Sequence, residues 1–321
     1  MSTVSRREAV QRILTAAAAP ILASCGADRL LNPQLFTAGS VGPVSLIGGG
    51  DQHSTGTNQS HRTGEIIKGM LDRDPTAWAF ANGDLVPTGT EQEYAQGYDV
   101  AWGSFLSRTF TTMGNHDIIA DPSGNNYFDY VGNRGGPRGK GYYAVTLGAW
   151  RCYFLNSQMV RAEQAAWLAA DLPHWENYHI MAMWHIPHFA SPCEHTGGKS
   201  MAWPGDNGTG QFWQALQDHR AEFVIGGHVH RWERFPRMIR NSSKPEQGTL
   251  SSQGIRQFVV GTGGVVPMPP FAQRHPYVER IVPVRGVAKF TLRSDRYEWK
   301  FTDLDGTVRD SGIQMCRKVP A

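Results

Sequence analysis

The sequence predicts an α/β or α-β-β-α domain, and three observations carry that expectation. Past residue 42, short apolar runs alternate with amphipathic stretches, the pattern of helices laid on sheets. Five of the runs stop at Gly, Asp, Asn or His, so five strands would bring polar clusters to one edge of the fold. Residues 286–316 alternate apolar and polar side chains around Asp305-Gly306, as strands added to a sheet do.

Taken in order, Val44 to Ile47 reads as a strand running into Gly48-Gly49-Gly50-Asp51-Gln52-His53, and a helix spans about Gln59 to Leu71. Ala77 to Phe80 runs into Asn82-Gly83-Asp84, and Thr109 to Met113 into Gly114-Asn115-His116-Asp117. Trp150 to Leu155 is an apolar strand holding Cys152, and His179 to Met183 leads to Trp184-His185-Ile186-Pro187. After a helix from Gly210 to His219, Glu222 to Ile225 ends in Gly226-Gly227-His228-Val229-His230. Further strands fall at Gln257 to Gly261, on Val287, Lys289 and Thr291, and on Tyr297, Trp299 and Phe301. The sequence has no internal repeat and no low-complexity tract.

The 321 residues, 40% of them hydrophobic, suffice for a substantial core. With 36 glycines, 19 prolines and 18% charged residues, the fold should be rich in loops, where working residues gather. The formal net charge is +3, and Arg6, Arg7 and Arg12 against Glu8 contribute two units of it. The remainder offers no electrostatic footprint for duplex nucleic acid or an anionic membrane. Residues 1–25 read as an export signal: Ser5-Arg6-Arg7-Glu8 precedes the apolar stretch Ile13 to Leu22 and then Ala23-Ser24-Cys25, a twin-arginine pattern with a lipobox. The expected organisation is a signal over 1–25, a linker over 26–42 and one domain over 43–317. It places the chain in the periplasm or outside the cell, tethered to a membrane only through lipid on Cys25. Cys152 is expected as a buried free thiol, and a Cys193–Cys316 bridge is the one disulfide considered.

The polar clusters suit metal binding better than acyl transfer. Hard cations prefer oxygen ligands and borderline ones accept imidazole, so Asp, Asn and His together fit zinc, manganese or iron. Two ions sharing a carboxylate would lower the pKa of a water and neutralise a phosphoryl group's oxygens. No Gly-x-Ser-x-Gly elbow and no Gly-rich loop ending in Lys and Ser or Thr is present. Singly, each cluster has a plainer reading: Asp51 and Asp84 as helix N-caps, Gly-Asn-His-Asp as a turn, His185 as a core histidine. Gly-His-x-His after a strand is the most specific block, because alternate residues splay to opposite sides. His188 reads as a solvated loop residue or a substrate contact. His195, Trp203 and Asp206 lie in a Gly/Pro-rich insert, Ser191 to Gly208, expected to form a rim.

Asp51-x-His53, Gly83-Asp84, Gly114-Asn115-His116-Asp117, His185 and Gly227-His228-x-His230 stand in that order, and so resemble the calcineurin-like metallophosphoesterases. Gly141-Tyr142-Tyr143, Trp167-Leu168, Trp232-Glu233-Arg234 and Gly261-Thr262-Gly263-Gly264 look like the bacterial branch related to purple acid phosphatases. The resemblance implies a four-layer α-β-β-α sandwich, two metal ions (Fe, Zn or Mn) and hydrolysis of small phosphate esters, monoesters first and diesters second. Carried over by position, Asp51, His53, Asp84 and His230 would hold one ion, and Asp84, Asn115, His185 and His228 the other. His116 would protonate the leaving-group oxygen or stabilise the phosphate, with Asp117 orienting its imidazole. The chain departs from the purple enzymes in having Pro87 where they place a tyrosine ligand, and in keeping His53, so a ferric-tyrosinate site is not expected.

Overall fold

In the computed structural model, the described residues are 42–317 apart from 56–58, 160, 194–208, 246 and 270–272. The expected signal, the linker up to residue 41 and the rim residues His195, Trp203 and Asp206 therefore lie outside the described residues. Among the described residues, fourteen strands form two sheets. In the first, the parallel strands β1 (Val44–Gly49), β2 (Trp78–Asn82) and β3 (Thr109–Thr112) are extended antiparallel by β12 (Gly286–Leu292), β13 (Arg296–Asp303) and β14 (Val308–Met315). The second is built on parallel β5 (Trp150–Phe154), β6 (His179–Met183), β7 (Phe223–Gly226) and β10 (Ile255–Val260). Antiparallel β4 (Tyr143–Leu147) and β8 (Trp232–Ile239) flank them, and β11 (Arg280–Val282) and β9 (Thr249–Leu250) pair with β8.

Strands buried on both faces read as unbroken apolar runs, which is why these strands were legible. Between the sheets, aromatic rings from each meet: Phe110 stacks on Phe154 at 4.8 Å, Phe223 on Phe290 at 5.5 Å and Trp232 on Phe301 at 4.9 Å between centroids. Helix α1 (Ser60–Arg73) covers the outer face of the first sheet, burying Ser60, Thr63, Gly64, Ile67 and Leu71 at helical spacing. Tyr94, Tyr98 and Trp102 pack beside it from the helical run 91–102, which includes a π-helical turn at Tyr94–Tyr98. Leu168, Phe212, Trp213 and Leu216 cover the second sheet from helices α2 (Arg161–Asp171) and α3 (Thr209–Asp218). The architecture is the four-layer α-β-β-α sandwich.

Expected element ends agree with the structure to within two residues. Several elements gave no clear signal, β8 among them, because Pro236 and three arginines or glutamates interrupt its pattern. The register shifts there, so that Phe235 and Pro236 oppose Gln257 alone. Such a bulge lets a proline sit in a strand without a ladder hydrogen bond.

Two expectations are corrected. Cys193 and Cys316 form no disulfide, and Cys152 is a free thiol. Cys193 belongs to the core outside the second sheet and Cys316 packs on the core between the sheets, so a bridge would have to cross a layer. His188 is neither solvated nor open to substrate: it is fully buried and stacks on Trp213 at 4.8 Å. Neither ring nitrogen has a hydrogen-bond partner among the described residues, and burial, aided by Arg240, pushes it down to about 3.

That neutral imidazole sets a pH dependence. An unfolded chain with His188 near 6.5 binds a proton that the folded chain refuses down to about 3, so stability falls as pH drops through that window. Relative to the wild type, His188→Phe should gain about 1.4 kcal/mol per pH unit below 6.5. Urea unfolding at several pH values checks this, and a difference that does not vary with pH rejects it.

Candidate metal centre

Parallel strands of both sheets end at one edge, and the ligand candidates stand just past those ends. Asp51 and His53 follow β1, Asp84 follows β2 and Asn115 follows β3. From the other sheet, His185 follows β6, and His228 and His230 follow β7. Sites beyond the carboxyl ends of parallel strands are the rule for such sheets. The loops are backbone-strained there: of five non-glycine residues with positive φ among the described residues, four are Asp51 (60°), His53 (41°), Asp84 (53°) and His228 (65°). L-residues occupy that region at a cost, and such strain clusters at functional sites.

Six of the seven side chains come together as two groups around one carboxylate. Asp51, His53 and His230 have ligand atoms mutually within 4.8 Å, and so do Asp84, His185 and His228. Asp84 Oδ2 lies 3.2 Å from His185 Nε2 and 3.4 Å from His53 Nε2, facing both groups. Its Oδ1 accepts the His116 backbone N–H at 2.8 Å. Asn115 is held between His116 and Gly114, where a Cβ would fall 2.1 Å from Asp84 Oδ1; only glycine lets β3's loop approach the carboxylate so closely. Two of the three glycines before Asp51 serve a different contact, since a Cβ on Gly48 or Gly50 would strike the carbonyl of Phe80 or Asn82 on β2.

Hydrogen bonds fix the orientation of the ligands. His185 Nδ1–H donates to the Asn82 carbonyl at 2.9 Å, presenting Nε2 to the site. Asp51 Oδ2 accepts the His228 N–H at 2.8 Å. Asp51 Oδ1, Asn115 Oδ1 and His185 Nε2 are buried with no hydrogen-bond partner among the described residues. Burial, reinforced by Asp84, pushes Asp51 up to about 7, whereas for Asp84 burial is outweighed by His185 and His53, which hold it well below the carboxylate range. His185 is raised to about 10: burial opposes its charge, but Asp84 and Asp51 prevail. Carboxylates and imidazoles whose ligand atoms gather within 4.8 Å of one another fit bound metal cations.

The role expected for Asp117 is corrected. Its carboxylate does not touch His116; it accepts N–H bonds from Asp84 at 2.9 Å, Leu85 at 3.0 Å and Gly114 at 2.8 Å, and the Tyr94 hydroxyl at 3.0 Å. His116 Nδ1–H donates instead to the backbone carbonyl of Pro87 at 2.6 Å. Asp117 thus clamps the loops after β2 and β3 to each other, which positions Asp84 and Asn115. Burial, then Asp84, pushes it up to about 7. Tyr94 went unnoticed in the sequence, because a tyrosine in a helical stretch carries no mark of its partner. With Asp117→Asn, one amide N–H group would face main-chain donors, so metal affinity should fall by about 10- to 100-fold. Metal titration of the variant checks this, and wild-type affinity would remove the clamp from the account.

The family profile of the calcineurin-like phosphoesterases matches residues 49–232. Among solved structures, purple acid phosphatase PPD1 from yellow lupin (Lupinus luteus) seeds superposes with a TM-score of 0.67 at 17% identity over 86% of this chain. That likeness spans only 54% of the lupin chain. GAP50, the anchor in the inner membrane complex of Plasmodium, gives 0.65 at 12% identity over 86% of this chain and 90% of its own. PhoD gives 0.57 at 12% identity, over 85% and 68%. At these identities the likeness is one of fold. No curated protein matches the chain. With the five blocks brought to one edge of the matching sandwich, and the profile covering more than half of the sequence, the chain belongs to the calcineurin-like phosphoesterase family.

Proposed function

We propose that this chain hydrolyses phosphate monoesters at a dinuclear metal centre. The observation that carries the reading is the Asp84 carboxylate, whose Oδ2 faces both histidine groups. In this reading Asp51, His53, Asp84 and His230 hold one ion, and Asp84, Asn115, His185 and His228 the other. When bound, two Fe, Zn or Mn ions supply an activated water and neutralise the charge on the phosphoryl oxygens. The chain's own residues do the rest. His116 is part-exposed beside the centre, its Nε2 4.0 Å from Asp84 Oδ2 and its ring 4.3 Å from that of His53. With Nδ1–H committed to Pro87, Nε2 is the atom that exchanges a proton with the leaving-group oxygen. The Asp117 clamp keeps Asp84 and Asn115 in register while it does so.

The monoester preference rests on the phosphatase named among the similar folds; a diester of a nucleotide or lipid headgroup is the competing substrate. Work outside the cytoplasm is part of the same proposal, with residues 1–25 as a twin-arginine signal and Cys25 lipidated. Among the described residues no helix is long and apolar enough to cross a membrane.

Para-nitrophenyl phosphate and its bis-ester, assayed with added manganese or zinc, separate the two substrates, and the mono-ester should be turned over faster. His116→Ala should keep its metals and lose about 10²- to 10⁴-fold in kcat. A metal-replete wild type inert toward both esters would leave a metal-bearing scaffold of the same fold.

A further inference from the structure

At the other end of the second sheet a cleft of about 580 Å³ opens to solvent. Arg256 lines it from the start of β10, the strand whose far end reaches the metal-centre edge. Strand rise puts the two places about 17 Å apart. Arg237 and Arg317 join Arg256 in the wall with Ser251, Ser252 and Gln253, and no carboxylate side chain is among the described lining residues.

The three arginines are anchored from behind. Arg237 Nη2 donates to Glu222 Oε2 at 2.6 Å, the Arg317 backbone N–H to Glu222 Oε1 at 2.7 Å, and Arg256 Nη1 to Glu279 Oε2 at 2.7 Å. Each arginine side chain is about a tenth exposed. Glu279 also pairs with Arg234, whose other partner is Asp310. Four arginines thus share three carboxylates, and the unmatched positive charge lies beside the open face. The terminal nitrogens of Arg237, Arg256 and Arg317 also donate to the carbonyls of Gly254, Phe235, Gln253 and Ala221 and to Gln314, so the cluster acts on an anion through its net positive charge. The same charge argues against a cation on His179, Glu222 and Cys316, whose ligand atoms gather within 4.8 Å, because two arginines already hold Glu222. Leu250 and Met315, each more than half exposed, line the cleft as well and give it an apolar lip.

We propose that this cleft binds a phosphate-bearing small molecule, its oxyanion on the arginines and its apolar part on Leu250 and Met315. The proposal does not rest on the hydrolytic reading. Inorganic phosphate and phenylphosphonate, which has no ester bond, are each titrated into the metal-loaded full chain by equilibrium dialysis. Wild type should bind one phosphate beyond any held at the metals, and phenylphosphonate more tightly at that same site. Ser252→Glu places a negative charge on the exposed rim without touching the buried ion pairs. It should weaken the extra site by about tenfold or more, one unfavourable contact of about 1.4 kcal/mol. Ser252→Gln should not weaken it, and ester turnover and melting temperature should match wild type in both variants. Identical isotherms for wild type and Ser252→Glu, or phenylphosphonate binding no tighter than phosphate, would overturn the proposal. An inert chain with a Ser252-sensitive phosphate site would sink the hydrolase reading and leave this one standing.

Discussion

Asp84 holds a negative charge almost wholly out of water, with three imidazoles gathered on the same oxygen atom. A carboxylate desolvated this far stays ionised only where positive charge or donors face it. The histidines meet that need in part, and in turn hold their own nitrogens toward a shared space. Everything around the carboxylate serves to keep that arrangement from relaxing. The His116 N–H grips one oxygen, the Asp117 clamp grips the Asp84 and Leu85 N–H groups, and glycine at position 114 lets the next loop close over it. The positive φ angles at Asp51, His53, Asp84 and His228 show the same pressure on the main chain. Backbone so far from its preferred basins persists only when the scaffold over-determines it.

That scaffold is a seam between two sheets. Asp51, His53, Asp84 and Asn115 come from the first, while His185, His228 and His230 come from the second, so the spacing of the ligand groups follows from how the sheets pack. The aromatic layer that joins them sets that spacing, with Phe223 of the histidine-bearing strand stacked on Phe290 of the facing sheet. Close-packed interiors transmit small shifts rather than absorbing them. Core packing and metal geometry are therefore coupled in this fold, although no aromatic of the layer belongs to the ligand set.

His116 is oriented by the main chain rather than by a neighbouring side chain. Position 87 is a proline, without a side chain able to ligate a metal or orient an imidazole. Its carbonyl does the second task, at 2.6 Å from His116 Nδ1. A main-chain acceptor cannot take up a proton, so the imidazole's partner keeps its charge state whatever the pH. The neighbouring carboxylate of Asp117 is thereby released to act on backbone donors.

Local pattern was enough to read most strands and the two helices with an apolar stripe, and to single out the residues that stand at the metal-centre edge, because each of these blocks follows an unbroken apolar run within a few residues. Period and composition are properties of adjacent residues, and strands buried on both faces display them plainly. Partnerships between distant residues leave no such trace. Asp117 next to His116 in the chain looked like its partner, yet bonds to loops thirty residues away and to Tyr94. His188, three positions from a ligand, faces the tryptophan of a covering helix instead of the centre. The thiols of Cys193 and Cys316 lie on opposite sides of a sheet. Which residues gather at one edge of the fold was legible in the order of the blocks, whereas which atom each one touches depended on two sheets meeting face to face, since only packing brings together groups that the chain keeps far apart.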